Sequence, residues 1–119
     1  MPQFIDGNRI ILLHNGAEYF PALEAAIDGA QQEVHFETYI FEHDATGIRI
    51  AAALKRAAQR SVAVRLLLDG FGSQDLPQEV IQDMLDAGVQ VLIFRPKISP
   101  LSLRRHRLRR MHRKLVVVD

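Results

Sequence analysis

The chain has 119 residues, of which 48% are hydrophobic and 24% charged, a composition that suits one small folded domain and excludes an intrinsically disordered chain. It contains no cysteine, which excludes disulfide bonds and thiolate metal sites. The N-terminus lacks the features of a signal peptide, and no apolar run is long enough to cross a bilayer. We therefore expect a soluble or surface-bound protein.

The net charge of +1 conceals a strong asymmetry along the chain. Residues 1–94 carry thirteen acidic and six basic side chains, whereas residues 95–114 carry nine basic side chains and no acidic one. Clustered like charges repel one another unless an anion neutralises them, so the block indicates a surface that faces phosphates, lipids or nucleic acid. A solvated basic loop without a partner is the alternative.

The first half of the sequence alternates between strand-like and helical patterns. Residues 9–14 (RIILLH) suit a strand, and residues 18–31 place apolar side chains at helical spacing. Residues 33–41 (EVHFETYIF) alternate as a strand does. An alanine-rich helix follows over residues 44–60, with Asp44 or Thr46 as its N-cap.

The second half continues this alternation. Residues 62–69 (VAVRLLLD) form a nearly continuous apolar run, which predicts an interior strand covered on both sides. Pro77 can begin a helix that Gly88 ends, and residues 89–94 predict another strand. The basic block then leads into a β-branched strand over residues 114–119.

This order of elements predicts the α/β fold class. Strands that alternate with helices of ten or more residues are typical of crossover units, and these give a largely parallel or mixed sheet flanked by helices. There is no internal repeat and no linker, so residues 1–119 are predicted to belong to a single domain.

One short pattern suggests chemistry. In an extended segment, His112 and Lys114 project to the same side, roughly 7 Å apart along the strand. A neutral imidazole is a competent nucleophile, and a nearby ammonium can neutralise the oxygens of a phosphate under attack. Asp119 is five residues beyond Lys114, so in an extended strand its side chain projects to the opposite side. It can therefore contribute to the same site only through a bend in the chain or by holding a neighbouring element in place. Chance is the competing explanation for so short a pattern.

The wider sequence resembles a known family. HRKLVVVD, at the C-terminal end, is similar to the HxKxxxxD signature of the phospholipase D superfamily. The segments NGAEYFPALEAAI, ETYIFEHDATG, AAALKRAAQR, VRLLLDGFGS and RRMHRKLVVVD occur in the order and at the spacing typical of bacterial cardiolipin synthases. The resemblance covers nearly the whole chain, which is far more specific than the motif alone.

The resemblance implies a two-step phosphatidyl transfer. His112 would attack the phosphorus of one phosphatidylglycerol, and a second lipid alcohol would then accept the phosphatidyl group. Lys114 would hold the phosphoryl oxygens, and Asp119 would orient or buffer the site. In the family a second copy of the motif supplies a general acid, and this copy is expected in a missing C-terminal half. The present chain is then the N-terminal part of a phospholipase D-like domain and is expected to be inactive alone.

Two further acids are candidates for supporting the site. Glu37 lies on the polar face of its strand, where its carboxylate can hydrogen-bond a catalytic group, although an exposed acid fits the pattern as well. Asp69 ends an apolar strand and precedes GFGS, which indicates either a ligand-binding edge or a plain turn. The histidines outside the motif lack metal-ligand spacing, and no metal, nucleotide or other cofactor is predicted.

The basic block suggests what the site faces. Its arginines can attract an anionic membrane, and the interleaved leucines, with no aromatic residue, favour lipid over nucleic acid. The resemblance implies a phosphatidylglycerol substrate in a bacterial membrane, and the basic block adds the prediction of a peripheral location, at the cytoplasmic side. A superfamily nuclease or phosphodiesterase and a non-catalytic membrane-binding module are the alternatives. The arginines concerned are Arg104, Arg105, Arg107, Arg109 and Arg110.

Overall fold

The computed structural model describes residues 6–39, 41–70, 72–94 and 114–119. These residues form three helices and four strands in the order α1, β1, α2, β2, α3, β3, β4. The bounds are Gly16–Asp28 for α1, Glu33–Thr38 for β1, Ala45–Gln59 for α2, Ala63–Asp69 for β2, Gln78–Asp86 for α3, Gln90–Phe94 for β3 and Lys114–Val118 for β4.

The four strands form one mixed sheet in the order β3-β2-β1-β4. β1 and β2 are parallel, as are β2 and β3, because a helix separates each pair in sequence. β4 runs antiparallel to β1 at the edge of the sheet. The structure thus confirms the predicted α/β class with a mixed sheet.

Local signals account for the ends of the helices. Asn15 caps α1 by accepting from the backbone N–H of Glu18. Asp44, rather than Thr46, caps α2, since its Oδ1 accepts from the backbone N–H of Gly47 at 2.7 Å. Gly88 follows α3 with a φ of +102°, a backbone conformation that favours glycine at a helix end.

The hydrophobic core lies on one side of the sheet. Val34 and Phe36 from β1 and Leu66 and Leu68 from β2 belong to a buried cluster shared with all three helices. On the opposite face, by contrast, Arg65 of β2 is exposed. The prediction that β2 is covered on both sides is therefore wrong for the described residues. An apolar run does not reveal whether a second layer is present.

One sequence feature differs in its outcome from what its pattern suggests. Residues 9–14 are outside any strand and exposed, with Ile10 at 93% and Leu12 at 76%, so the predicted first strand is wrong for this structure. An apolar run becomes a strand only where a neighbouring strand pairs with it.

Within the described part of the chain, none of the helices has the length and apolar character needed to span a bilayer.

Asp119 attaches β4 to the start of β1. Its carboxylate accepts from the backbone N–H groups of Gln31, Gln32 and Glu33, with Gln32 the nearest at 2.7 Å. The Asp119 N–H in turn donates to the Glu33 carbonyl at 2.9 Å. Hydrogen bonds from Gln31, Glu33 and Gln32 hold the pKa of this carboxyl below its ordinary value near 3.8.

We expect Asp119→Asn to lower the temperature of thermal unfolding, because the amide carries no charge and offers fewer lone pairs to the three N–H groups. The lowered pKa means that the ionised group stabilises the folded state fully above pH 3.8 and loses this effect as the pH falls through the folded value. The difference in melting temperature should therefore be largest near neutral pH and shrink in acid. Circular dichroism melts measure it.

Asp75→Asn is the matched control, since Asp75 is exposed and makes no side-chain hydrogen bond or ion pair with the described residues. Its melting temperature should follow the unsubstituted chain at every pH. Equal melting curves for the two variants would show that the Asp119 hydrogen bonds do not stabilise the sheet.

Candidate functional site

Lys114 lies at the edge of the sheet where the parallel strands end. The carboxyl ends of β1 and β2 meet at this edge, and β4 begins there because it runs the other way. Lys114 is directly opposite Thr38 in the β1–β4 register. Asp119 is five residues further along, about 16 Å away at the rise of an extended strand, at the opposite edge. The structure therefore separates these two motif residues.

The Lys114 side chain is on the same face as the helices. The register pairs Thr38 with Lys114 and Phe36 with Val116, so these residues project to the side where the core is. Lys114 is exposed, and no carboxylate among the described residues lies within 4 Å of its ammonium group. Its charge is thus available, within the part of the chain described, to an anion from solution.

An open groove of about 700 Å³ adjoins Lys114 between α1, α2 and β1. We call it the α1–α2 groove. Its wall is mainly apolar and includes Tyr19, Phe20, Leu23, Phe36, Phe41 and Ile50. Partial burial raises the pKa of the Tyr19 hydroxyl above 10.0, so this group is neutral at physiological pH. A cation beside an apolar groove suits a ligand that is anionic at one end and apolar at the other.

Ion pairs hold α1 and α2 together beside this groove. Arg56 of α2 donates from Nε and Nη2 to the two carboxylate oxygens of Asp28, at 3.1 and 3.0 Å. Arg49 lies 2.9 Å from Glu24 of α1. The two-pronged contact of Arg56 constrains the relative rotation of the helices more than a single hydrogen bond does.

Asp69 shapes the loop that follows β2. It is fully buried, and its Oδ2 accepts from the backbone N–H of Gly72 at 2.9 Å. A Cβ at Gly72 would collide with the Tyr39 carbonyl oxygen, so glycine allows the loop to approach the end of β1 closely. Ser73 Oγ completes the junction by donating to the Tyr39 carbonyl and accepting from the Phe41 N–H. Asp69 therefore shapes its own loop, and Ser73 ties that loop to the end of β1 at the Lys114 edge.

Glu37 is on the other face of the sheet from Lys114. It is opposite Leu115 on β4 and Leu67 on β2, and its side chain is 8% exposed. Its Oε1 lies 3.3 Å from His35 Nε2. In this structure Glu37 therefore contacts a histidine of its own strand, and it does not share a face with the motif lysine.

The remaining predicted site residues lie outside the described part of the chain. These are His112 and the five arginines Arg104, Arg105, Arg107, Arg109 and Arg110. Among the described residues, no three histidine or acidic side chains come together as a metal site would require.

Sequence reasoning missed the groove and the loop junction. The helical spacing of Phe20 and Leu23 indicates one apolar face on α1, but it does not indicate that the neighbouring helix leaves part of this face uncovered. Ser73 gives no signal in the sequence, because a serine in a glycine-containing loop is common and only the fold brings it to Tyr39.

Comparison with known proteins places these features in a family. Residues 23–119 match the family model described as "Cardiolipin synthase, PLD-like domain". The chain is 44% identical to cardiolipin synthase B of Escherichia coli K12 over 114 residues, which are 96% of this chain and 28% of that protein. It is 37% identical to cardiolipin synthase 1 of Bacillus anthracis over 91% of this chain and 21% of that protein.

A solved structure supports the fold. The phospholipase D family member Nuc from Salmonella typhimurium superposes with a TM-score of 0.57 and 22% identity, over 83% of this chain and 56% of that one. At this level of identity the likeness concerns the fold. The chain spans less than a third of the length of the curated relatives described above. The match of the family model and the identity to these relatives show that the chain belongs to the cardiolipin synthase family of phospholipase D-like domains.

Proposed function

We propose that this domain carries the nucleophile half of a phosphatidyltransferase that joins two phosphatidylglycerol molecules into cardiolipin and glycerol. The observation that carries the proposal is the HxKxxxxD motif, whose lysine emerges at the sheet edge beside an apolar groove in a member of the cardiolipin synthase family. A phosphate with acyl chains matches this combination of a cation and an apolar wall.

In the first step a nitrogen of His112 attacks the phosphorus of the donor lipid. A nitrogen–phosphorus bond forms, the bond from phosphorus to the glycerol headgroup oxygen breaks, and that oxygen leaves with the electron pair and takes up a proton. Lys114 stabilises the oxygens of phosphorus while their negative charge increases, which is where a positioned cation contributes most. The intermediate is a phosphatidyl-histidine.

In the second step a hydroxyl of the acceptor phosphatidylglycerol attacks the same phosphorus. The new oxygen–phosphorus bond forms as the nitrogen–phosphorus bond breaks, the hydroxyl loses its proton, and His112 is regenerated. Both proton transfers require a general acid and base, which we expect from a second copy of the motif outside this sequence. For this reason we expect the 119-residue chain to be inactive alone.

Three acidic residues would support these two steps indirectly, through the strands and loops around the motif. Asp119 would act as a positioning residue, since its contacts with residues 31–33 set the register that brings Lys114 opposite Thr38. Asp69 would maintain the loop junction at the same edge. Glu37 would support β1, the strand that pairs with β4, and its side chain lies on the face opposite Lys114.

We propose that the arginines before the motif bring the site to the membrane. Each basic residue near an anionic bilayer contributes about 1 kcal/mol of attraction, and the five arginines directly precede His112 in the sequence. The location would then be peripheral, at the cytoplasmic face of a bacterial membrane.

We expect His112→Ala in the full-length polypeptide to abolish cardiolipin formation from phosphatidylglycerol vesicles, because the attacking nitrogen is lost. Mass spectrometry of acid-sensitive adducts in the quenched unsubstituted protein should locate a phosphatidyl group on His112. His43→Ala is the control, since His43 is exposed in the loop before α2 and lies outside the motif. It should retain transfer.

Product formation that survives His112→Ala would contradict the mechanism and favour a non-catalytic membrane-binding role. Loss of transfer with an adduct on another residue would retain the enzyme class but reject His112 as the nucleophile.

We expect the triple change Arg104→Gln, Arg105→Gln and Arg107→Gln to weaken binding to phosphatidylglycerol vesicles by about fivefold per removed charge at low salt. Cosedimentation measures this. The control removes three charges elsewhere, by Arg9→Gln, Lys55→Gln and Arg65→Gln, and should change vesicle affinity much less.

Unchanged vesicle affinity in the first variant would reject the membrane-docking role of the arginines. Binding to DNA that is tighter than to vesicles and falls steeply with salt would instead favour a nuclease of the superfamily.

A further inference from the structure

We propose that the α1–α2 groove holds one acyl chain of the anionic lipid whose phosphate contacts Lys114. This inference rests on the proposed function and adds to it the part of the substrate that the groove recognises. Among the described lining residues, the groove joins one cationic side chain, that of Lys114, to an apolar wall, and a phospholipid complements this pairing with an anionic phosphate and apolar chains.

Two aromatic side chains of the groove wall leave apolar surface exposed. Tyr19 and Phe20 of α1 are 37% and 40% exposed, and their rings contact edge to face with centroids 5.1 Å apart. Phe36 and Phe41 line the groove from the sheet side and are buried, with centroids 6.5 Å apart. Covering the rings of Tyr19 and Phe20 with an acyl chain would remove apolar surface from water, which is favourable.

The polar groups of the groove leave one place for an anion. The N-termini of α1 and α2 both line it, but Asn15 and Asp44 already cap them. Glu42 also lines the groove, and its charge adds to that of Asp44 in disfavouring an anion inside. Lys114 is the one cation among the described lining residues. A phosphate is therefore expected beside Lys114, with the uncharged chain along the aromatic wall.

The size of the groove agrees with this occupant. Its volume of about 700 Å³ lies in the range of sites that enclose a ligand of several hundred daltons. A polypeptide segment in the same place would bring backbone N–H and C=O groups against aromatic rings, where they find few partners. An acyl chain carries no such groups.

The test measures how affinity depends on acyl length. The chain is titrated by calorimetry with lysophosphatidylglycerols of four, six, eight and ten acyl carbons, below their micelle concentrations. We expect each added methylene to tighten binding about fourfold until the groove is filled. Lys114→Gln should weaken binding by a similar factor at every length and leave this dependence unchanged, because the charge contacts only the headgroup.

Phe20→Gln is the decisive variant, because it replaces part of the groove wall at an exposed position. It should reduce the gain in affinity per methylene. Leu85→Gln is the matched control, since Leu85 is 42% exposed on α3 and does not line the groove. It should keep the full dependence on acyl length, and circular dichroism of both variants checks that they fold.

A flat dependence on acyl length in the unsubstituted chain, or equal dependence in the two variants, would overturn the inference and favour a polypeptide segment as the occupant. A failure of the proposed function gives a different result from a failure of this inference. Transfer that depends on His112 together with a flat length dependence rejects only the groove. A steep, Phe20-dependent binding without transfer rejects only the transferase.

Discussion

The contact between the Asp119 carboxylate and the backbone N–H groups of residues 31–33 joins the end of β4 to the start of β1. Antiparallel strands have a side-chain period of two, so a slip of one residue would turn Lys114 to the opposite face of the sheet. Hydrogen bonds to a charged acceptor are short and strong, and three of them at one end of β4 oppose such a slip. The contacts of Asp119 thus act together with the β1–β4 pairing and the packing of Val116 and Val118 against the core, all of which correspond to the register that places Lys114 on the helix-covered face.

The two described residues of the motif, Lys114 and Asp119, lie in different surroundings. Lys114 lies at the edge where β1 and β2 end, beside loops that Asp69, Gly72 and Ser73 hold together. Asp119 lies at the other edge, where its side chain accepts from backbone N–H groups of residues 31–33. The spacing between the lysine and the aspartate therefore equals the length of a strand.

The two faces of the sheet differ in their chemistry. The helix-covered face combines the hydrophobic core, the α1–α2 groove and Lys114. The other face has Glu37 and His35 at 3.3 Å from each other, next to the exposed side chains of Leu115 and Val117 on β4. A charged lysine at the end of an edge strand remains accessible although its strand neighbours on the same face are partly buried, since the core ends before it. The fold thus places a cation against apolar surface without burying its charge.

The sequence by itself determined the family, the order of helices and strands from α1 onward, and the residues of the motif, because hydrophobic periodicity, helix caps and motif spacing are local properties. The Asp44 cap and the β-branched run of β4 are examples that the structure confirms. Tertiary structure alone decided that residues 9–14 form no strand, that the described residues cover β2 on one face, and that Glu37 and Lys114 are on opposite faces. Each of these depends on which strand pairs with which and on how far a helix extends over its neighbour, and such long-range contacts leave no periodic signal in the chain.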